Sequence, residues 1–273
     1  MRYWDHHNHS LFSADSDASM EEMVAAARRA GLSGIQLTEH IDLGHPGEEI
    51  GLIFDVDMPE YRQAIEEVRA KNPDMVIGMG LEVGLTGPEN QAYFKTPGLD
   101  FAIASLHVVH GKDPYDGVYF DGRTKHEAYL EYLEAMAEMM PYAEGASVLG
   151  HIGYAAKVAP YGEGACALGY EEFPEVLDEI LRQAVRLGLG LELNTSGYDS
   201  PAGHGLPSVD ILARYRELGG RILTLGSDAH EPKDVGRHFK RALMDAREAG
   251  FTEIAVFTAM SPRFMAMDCL LNS

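Results

Sequence analysis

Short apolar runs and longer stretches of helical spacing alternate along this chain, and the polar residues gather just after the apolar runs. Tyr3-Trp4 precedes Asp5-His6-His7-Asn8-His9 and predicts a first strand ending on this histidine-rich stretch. Ser19-Met20-Glu21-Glu22 has the form of a capping box and predicts a helix through Ala25-Ala26-Ala27 to near Gly31. Gly34–Thr38 reads as a short strand ending in Glu39-His40, and a loop rich in Gly, Asp and Pro follows from Asp42 to about Asp57. Tyr61, Ile65 and Val68 share one face of a helix predicted over Pro59–Lys71. Met75–Leu81 is an apolar strand ending in Glu82, and Phe101–Ser105 is another with His107 just past it.

Gly111–Gly122 is rich in Asp, Tyr and Gly and reads as a long loop on the active face. A helix over Lys125 to about Met140 follows, then a short strand, Ser147–Gly150, capped by His151. Gly153–Gly169 is a second long loop, and Phe173–Leu187 an amphipathic helix. Leu189–Leu193 is a strand ending in Asn194-Thr195-Ser196-Gly197, and Ser208–Leu218 is helical. Arg221–Leu225, the last clear strand, ends in Gly226-Ser227-Asp228-Ala229-His230. A helix over Val235–Ala249 and one more short strand, Ile254–Phe257, complete the pattern. Strand and helix alternate about seven times with no linker or composition shift, which predicts an α/β protein. The simplest arrangement is a single barrel of parallel strands, one domain over residues 1–273.

Composition changes this picture little. The chain has 273 residues, 45% hydrophobic and 24% charged, enough for a large core of ordinary globular type. No apolar run reaches membrane-span length, and the charged, histidine-rich N-terminus does not read as a signal peptide. Cys166 and Cys269 give no disulfide framework, so a reducing cytoplasm is the expected setting. The formal net charge of −21 opposes nonspecific nucleic-acid binding, and no basic groove is visible, so no nucleic-acid or membrane partner is expected. An acidic protein acting on an anionic substrate needs local positive charge, which bound cations supply.

The candidate chemistry lies at the strand ends. His7 and His9 are two apart, and on an extended strand their imidazoles would converge on one face. By itself such a pair is compatible with a chance surface doublet. His40, Glu82, His107, His151, Asn194, Asp228 and His230 follow other strands, and in an α/β barrel those ends share one mouth. Ligand-type residues at six strand ends are more than capping explains, and the set predicts a metal site. His45, His110, His126, His204 and His238 fit no such position and read as loop or helix-surface residues.

Asp5-His6-His7-Asn8-His9-Ser10, Thr38-Glu39-His40, Gly80-Leu81-Glu82, Ser105-Leu106-His107, Gly150-His151 and Ser227-Asp228-Ala229-His230 resemble, in order, the motifs of the polymerase and histidinol phosphatase (PHP) family. Asn194-Thr195-Ser196-Gly197, Tyr215–Gly220 and Asp234-Val235-Gly236 resemble its histidinol-phosphatase branch. The resemblance implies a distorted, TIM-like seven-stranded barrel and three divalent ions of zinc, manganese or iron. By position it puts His7, His9, Glu82 and Asp228 around the first ion. Asp15, His40 and His230 would hold the second, and Glu82 would bridge to a third held with His107 and His151.

The activity implied is metal-assisted hydrolysis of a small phosphate monoester, best matched by L-histidinol phosphate in histidine biosynthesis. Another small phosphomonoester or phosphodiester is the alternative substrate, and a non-catalytic metal-binding domain the alternative of a different class. Lys157, a few residues after Gly-His, is the expected phosphate contact, with Asn194 near it. Protonation of the leaving group is expected from the neighbourhood of Asp228 or His230. Where the branch commonly carries an Arg two residues after Asn-Thr-Ser-Gly, this chain has Asp199. An acid there either repels the phosphate or meets a cationic part of the substrate.

Overall fold

The strands of this protein are buried on both faces, which is why they read as apolar runs and not as alternations. The computed structural model describes residues 3–162 and 164–267. Seven parallel strands lie in sequential order: β1 (Trp4–Asp5), β2 (Gly34–Ile41), β3 (Val76–Gly84), β4 (Phe101–Ser105), β5 (Val148–Leu149), β6 (Gly190–Asn194) and β7 (Leu223–Gly226). The register runs Trp4 with Gly34, Gly34 with Val76 and Leu191 with Leu223. The ends of the sheet meet where His6 N–H donates to Leu225 O at 2.9 Å and Asn8 pairs with Ala229, so the barrel is nearly closed.

Helices pack outside the strands and begin where the capping residues predict. Ser19 caps α1 (Met20–Arg29) in a full capping box with Glu22, and Thr124 with Glu127 does the same for α3 (Lys125–Met139). Between them, α2 (Met58–Lys71) buries Tyr61, Ile65 and Val68 as its spacing predicts. The remaining helices are α4 (Tyr154–Lys157), α5 (Pro174–Leu187), α6 (Val209–Glu217) and α7 (Phe239–Glu248). Among the described residues no helix is long and apolar enough to cross a membrane.

Four expectations change. β1 stops at Asp5, so His7 and His9 lie beyond the strand and do not converge through a regular pleat. The last helix starts at Phe239 and not at Val235, because Gly236 has φ +70° and gives its N–H to Asp5 Oδ2 at 2.8 Å. The loop after β5 contains α4, which ends on Lys157. Ile254–Phe257 belongs to β8 (Glu253–Thr258), which pairs antiparallel with β9 (Ser261–Ala266) outside the barrel sheet.

This hairpin sits against the N-terminal ends of the strands. Ala259 N–H and Met260 N–H bond to Asp100, just before β4, and Gln36 Nε2 donates to Phe257 O at 2.8 Å. Ala255 and Phe257 pack with Phe101, Ile103 and Val148 as a separate apolar cluster. The opposite end is left for chemistry. Of the two cysteines, Cys166 is buried and free, and Cys269 lies outside the described residues.

Candidate metal centre

The segment after β1 carries His7 and His9 to one point, with their Nε2 atoms 3.0 Å apart. Glu82, inside the C-terminal half of β3, places Oε2 at 3.0 Å from His7 Nε2 and 3.4 Å from His9 Nε2. Asp228 follows β7 with φ +54°, a conformation Asp tolerates better than most residues, and puts Oδ1 3.6 and 3.7 Å from the same two nitrogens. Donor atoms about 2.0–2.2 Å from a tetrahedral ion stand roughly 3.3–3.6 Å from one another. The five distances, 3.0 to 3.7 Å, bracket that spacing.

The other oxygen of Glu82 faces a different set. Oε1 lies 2.8 Å from His151 Nε2 and 3.1 Å from His107 Nε2, and it accepts from Ser105 Oγ at 2.7 Å. One carboxylate thus presents an oxygen to each of two histidine groups. Toward the rim, Asp15 Oδ2 is 3.0 Å from His230 Nε2 and 3.5 Å from His40 Nε2. The His9 ring stacks on those of both His40 and His230, with centroids 4.2 Å from each. All nine residues matched by the family motifs are therefore brought together. His45 is a loop residue as expected, but a buried one: its ring packs against Phe54, and its Nε2 lies 3.3 Å from Asp113 Oδ2.

Residues not expected from sequence orient these ligands. Glu192 is fully buried on β6; its Oε1 accepts from His7 Nδ1 at 2.6 Å and its Oε2 from the N–H of His151 at 3.0 Å. Gly226 on β7 makes this possible, since a Cβ there would overlap the Glu192 carboxylate and His7. Asp42 Oδ1 lies 2.8 Å from His107 Nδ1, and Ser13 Oγ joins His9 Nδ1 to Glu39 Oε2. The contacts to Nδ1 of His7, His107 and His9 fix those rings and leave Nε2 facing inward, the usual support for a metal-binding histidine. An acid inside the apolar run Leu191-Glu192-Leu193 was the available signal for Glu192. Asp42, at the start of a polar loop, had none.

The electrostatics fit cations. Burial penalises charge at every group, yet the carboxylates of Glu192, Glu82 and Asp228 raise His7 well above its ordinary pKa. Asp42 and Glu82 push His107 up to about 10 against the same penalty. In return the imidazoles hold Glu82 well below the usual carboxylate range, and Lys157 and His7 do so for Asp228. Glu82 Oε2, which faces the His7–His9 pair, is buried with no hydrogen-bond partner. Such an orphaned atom costs stability unless an ion satisfies it. The donor set, nitrogen and carboxylate oxygen, suits zinc, manganese or iron.

The expected substrate contacts are placed unequally. Lys157, at the end of α4, donates to Asp228 Oδ2 at 2.7 Å and so stands beside the cluster. Asn194 is fully buried; its amide bonds Glu192 and Ser196, which makes it a brace inside the barrel and not a group open to a ligand. Asp199 is half exposed and engaged by His238 Nε2 at 2.7 Å, with Arg237 Nη1 3.9 Å away. Arg237 was not singled out by sequence.

A fold with parallel strands in order and a histidine–carboxylate cluster at their C-terminal ends defines a barrel hydrolase of metal-dependent type. The PHP domain model matches residues 5–196, and the chain belongs to the PHP domain family. It is 34% identical to a histidinol-phosphatase of Lactococcus lactis over 95% of this chain and 96% of that one. A histidinol-phosphatase of Bacillus subtilis is 24% identical, covering 89% and 99%. The crystal structure of the histidinol phosphate phosphatase of Lactococcus lactis, complexed with zinc, L-histidinol and phosphate, superposes with a TM-score of 0.86 at 33% identity, over 96% of this chain and 99% of that one.

Proposed function

We propose that this protein hydrolyses L-histidinol phosphate to L-histidinol and phosphate, with three divalent transition-metal ions at the barrel mouth. His7, His9, Glu82 and Asp228 would hold one ion; Asp15, His40 and His230 a second; and Glu82, His107 and His151 a third. The observation that carries this reading is the Glu82 carboxylate, whose two oxygens face two separate histidine groups. The relative with zinc, L-histidinol and phosphate bound supports the substrate.

Bound divalent ions supply the charge that lowers the pKa of water and neutralises phosphoryl oxygens. The chain's own residues do the rest. Glu192, Asp42 and Ser13 keep the rings of His7, His107 and His9 oriented, so the site is built before substrate arrives. Lys157, pushed to higher pKa by Asp228 against the penalty of burial, stays protonated and offers its charge to the phosphoryl oxygens. Asp228 is bonded to Lys157 and lies 3.7 Å from His230 Nδ1, and the leaving alkoxide would take its proton from water on their side. His230 Nδ1 is occupied by the Asp228 carbonyl at 3.2 Å, which directs Nε2 toward Asp15 and the cluster.

Phosphate release from L-histidinol phosphate and a panel of small phosphomonoesters and phosphodiesters tests this reading. The expected result is a kcat/KM for L-histidinol phosphate well above the rest, lost on chelation. Comparable or better turnover of an unrelated ester would overturn the substrate assignment.

A further inference from the structure

The reading above leaves the phosphate with a single protein cation, Lys157, and leaves an acid at 199. The turn between β7 and α7 supplies a second cation. Asp5, fully buried, fixes the path of that turn: Oδ1 accepts from Ser227 N–H at 2.9 Å, and Oδ2 accepts from Ser227 Oγ at 2.5 Å and from Gly236 N–H at 2.8 Å. The left-handed backbone at Gly236 then returns the chain toward the cluster, and Arg237 Nε donates to Ser227 O at 3.3 Å. That carbonyl belongs to the residue just before Asp228, whose carboxylate holds Lys157. Arg237 and Lys157 therefore attach to neighbouring residues of one strand end. They are near enough that the guanidinium opposes the charge on Lys157.

Two of the three guanidinium nitrogens have partners, Nε on the Ser227 carbonyl and Nη1 beside two carboxylates. Nη1 lies 3.5 Å from Asp234 Oδ1 and 3.9 Å from Asp199 Oδ2, while Nη2 has no partner among the described residues. The side chain is partly accessible, 21% exposed. Asp199, in turn, is half exposed, bonded to His238 Nε2 at 2.7 Å and within ion-pair reach of Arg237 at 3.9 Å.

We propose that Arg237 is the second phosphate-binding residue of this centre and that Asp199 is its tether, not a contact to the substrate. The proposal rests on the hydrolase reading and names the cation pair that holds its phosphate. Lys157 contributes a point charge, and Arg237 a second fixed positive charge with the two N–H donors of Nη2 left for phosphate oxygens. An acid at 199 is then compatible with a phosphate substrate, because it steadies the arginine that replaces an arginine there.

The test measures calorimetric affinity of the metal-loaded protein for inorganic phosphate, and KM for L-histidinol phosphate, in wild type, R237A, R237Q, D199N and the R237A/D199N pair. R237A and R237Q are expected to weaken both by about 10- to 100-fold, the worth of one charge-assisted hydrogen bond, with metal content unchanged. D199N is expected to weaken both by less, and to add nothing once Arg237 is gone. Unchanged phosphate affinity in R237A or R237Q overturns the proposal, and so does tighter binding in D199N, which would mark Asp199 as a simple repulsive charge. Because phosphate binding is read without turnover, a wild type that binds phosphate through Arg237 but leaves L-histidinol phosphate intact would overturn the substrate reading alone. If R237A is misfolded, R237Q, which keeps length and a donor, carries the comparison.

Discussion

His6 and His7 are neighbours in the chain, both buried, and end in opposite electrostatic environments. His6 points into the floor of the barrel, where Phe101 packs edge-on with ring centroids 5.1 Å apart and Phe257 gives its N–H to Nε2 at 3.3 Å. Burial there meets little opposing charge and pushes the imidazole down to about 4, so it stays neutral. His7 points to the mouth, with Glu192 Oε1 at 2.6 Å on one nitrogen and Glu82 Oε2 at 3.0 Å on the other. The same burial is outweighed by carboxylates, and the ring is held in a field that favours positive charge. Burial of a histidine therefore says nothing of function. The acids around it decide whether it is packing or a ligand, and the barrel keeps the two uses at opposite ends.

The sharpest way to separate the two ends is to damage one and read both activity and stability. Glu82→Ala should lower kcat/KM by about 1,000-fold or more and reduce bound metal, because a shared carboxylate serves two ions. Wild-type turnover in that variant would break the account of the mouth. At the floor, Phe257→Ala should cost about 3–5 kcal/mol of unfolding free energy in urea while leaving kcat within a factor of about two. An equal loss of activity would show that the ends are not independent.

Smaller changes sharpen the contrast. Glu192→Gln keeps the size of the side chain but removes the charge behind His7, and should cost about 10- to 100-fold in metal affinity or kcat/KM. No change in either would reduce Glu192 to a packing residue. His6→Phe suits the apolar floor but leaves Phe257 N–H without its acceptor, so a loss of about 1–3 kcal/mol in stability is expected, with metal content unaltered. Loss of metal from that variant would contradict the division drawn between adjacent histidines.

Much of this architecture was legible in the chain because its cues are local. Ser19 with Glu22 and Thr124 with Glu127 cap helices within four residues, and apolar runs mark the strands whose ends carry His40, Glu82, His107 and His151. The unread parts depend on contacts between distant segments. The start of α7 moved because the backbone around Gly236 is committed to Asp5, 231 residues away. Glu192 became recognisable only when β6 set it behind His7, and Arg237 only when the turn after β7 brought it back to Ser227. β9 went unread because Ser261–Ala266 is largely exposed and carries no apolar alternation.

The most direct test of the account is to titrate one preparation, stripped by chelator, with zinc, manganese or iron(II) while measuring metal per chain and phosphate release from L-histidinol phosphate together. The account predicts no release from the stripped protein and activity that climbs with occupancy to a plateau near three ions per chain. Full turnover with one ion or none would contradict it.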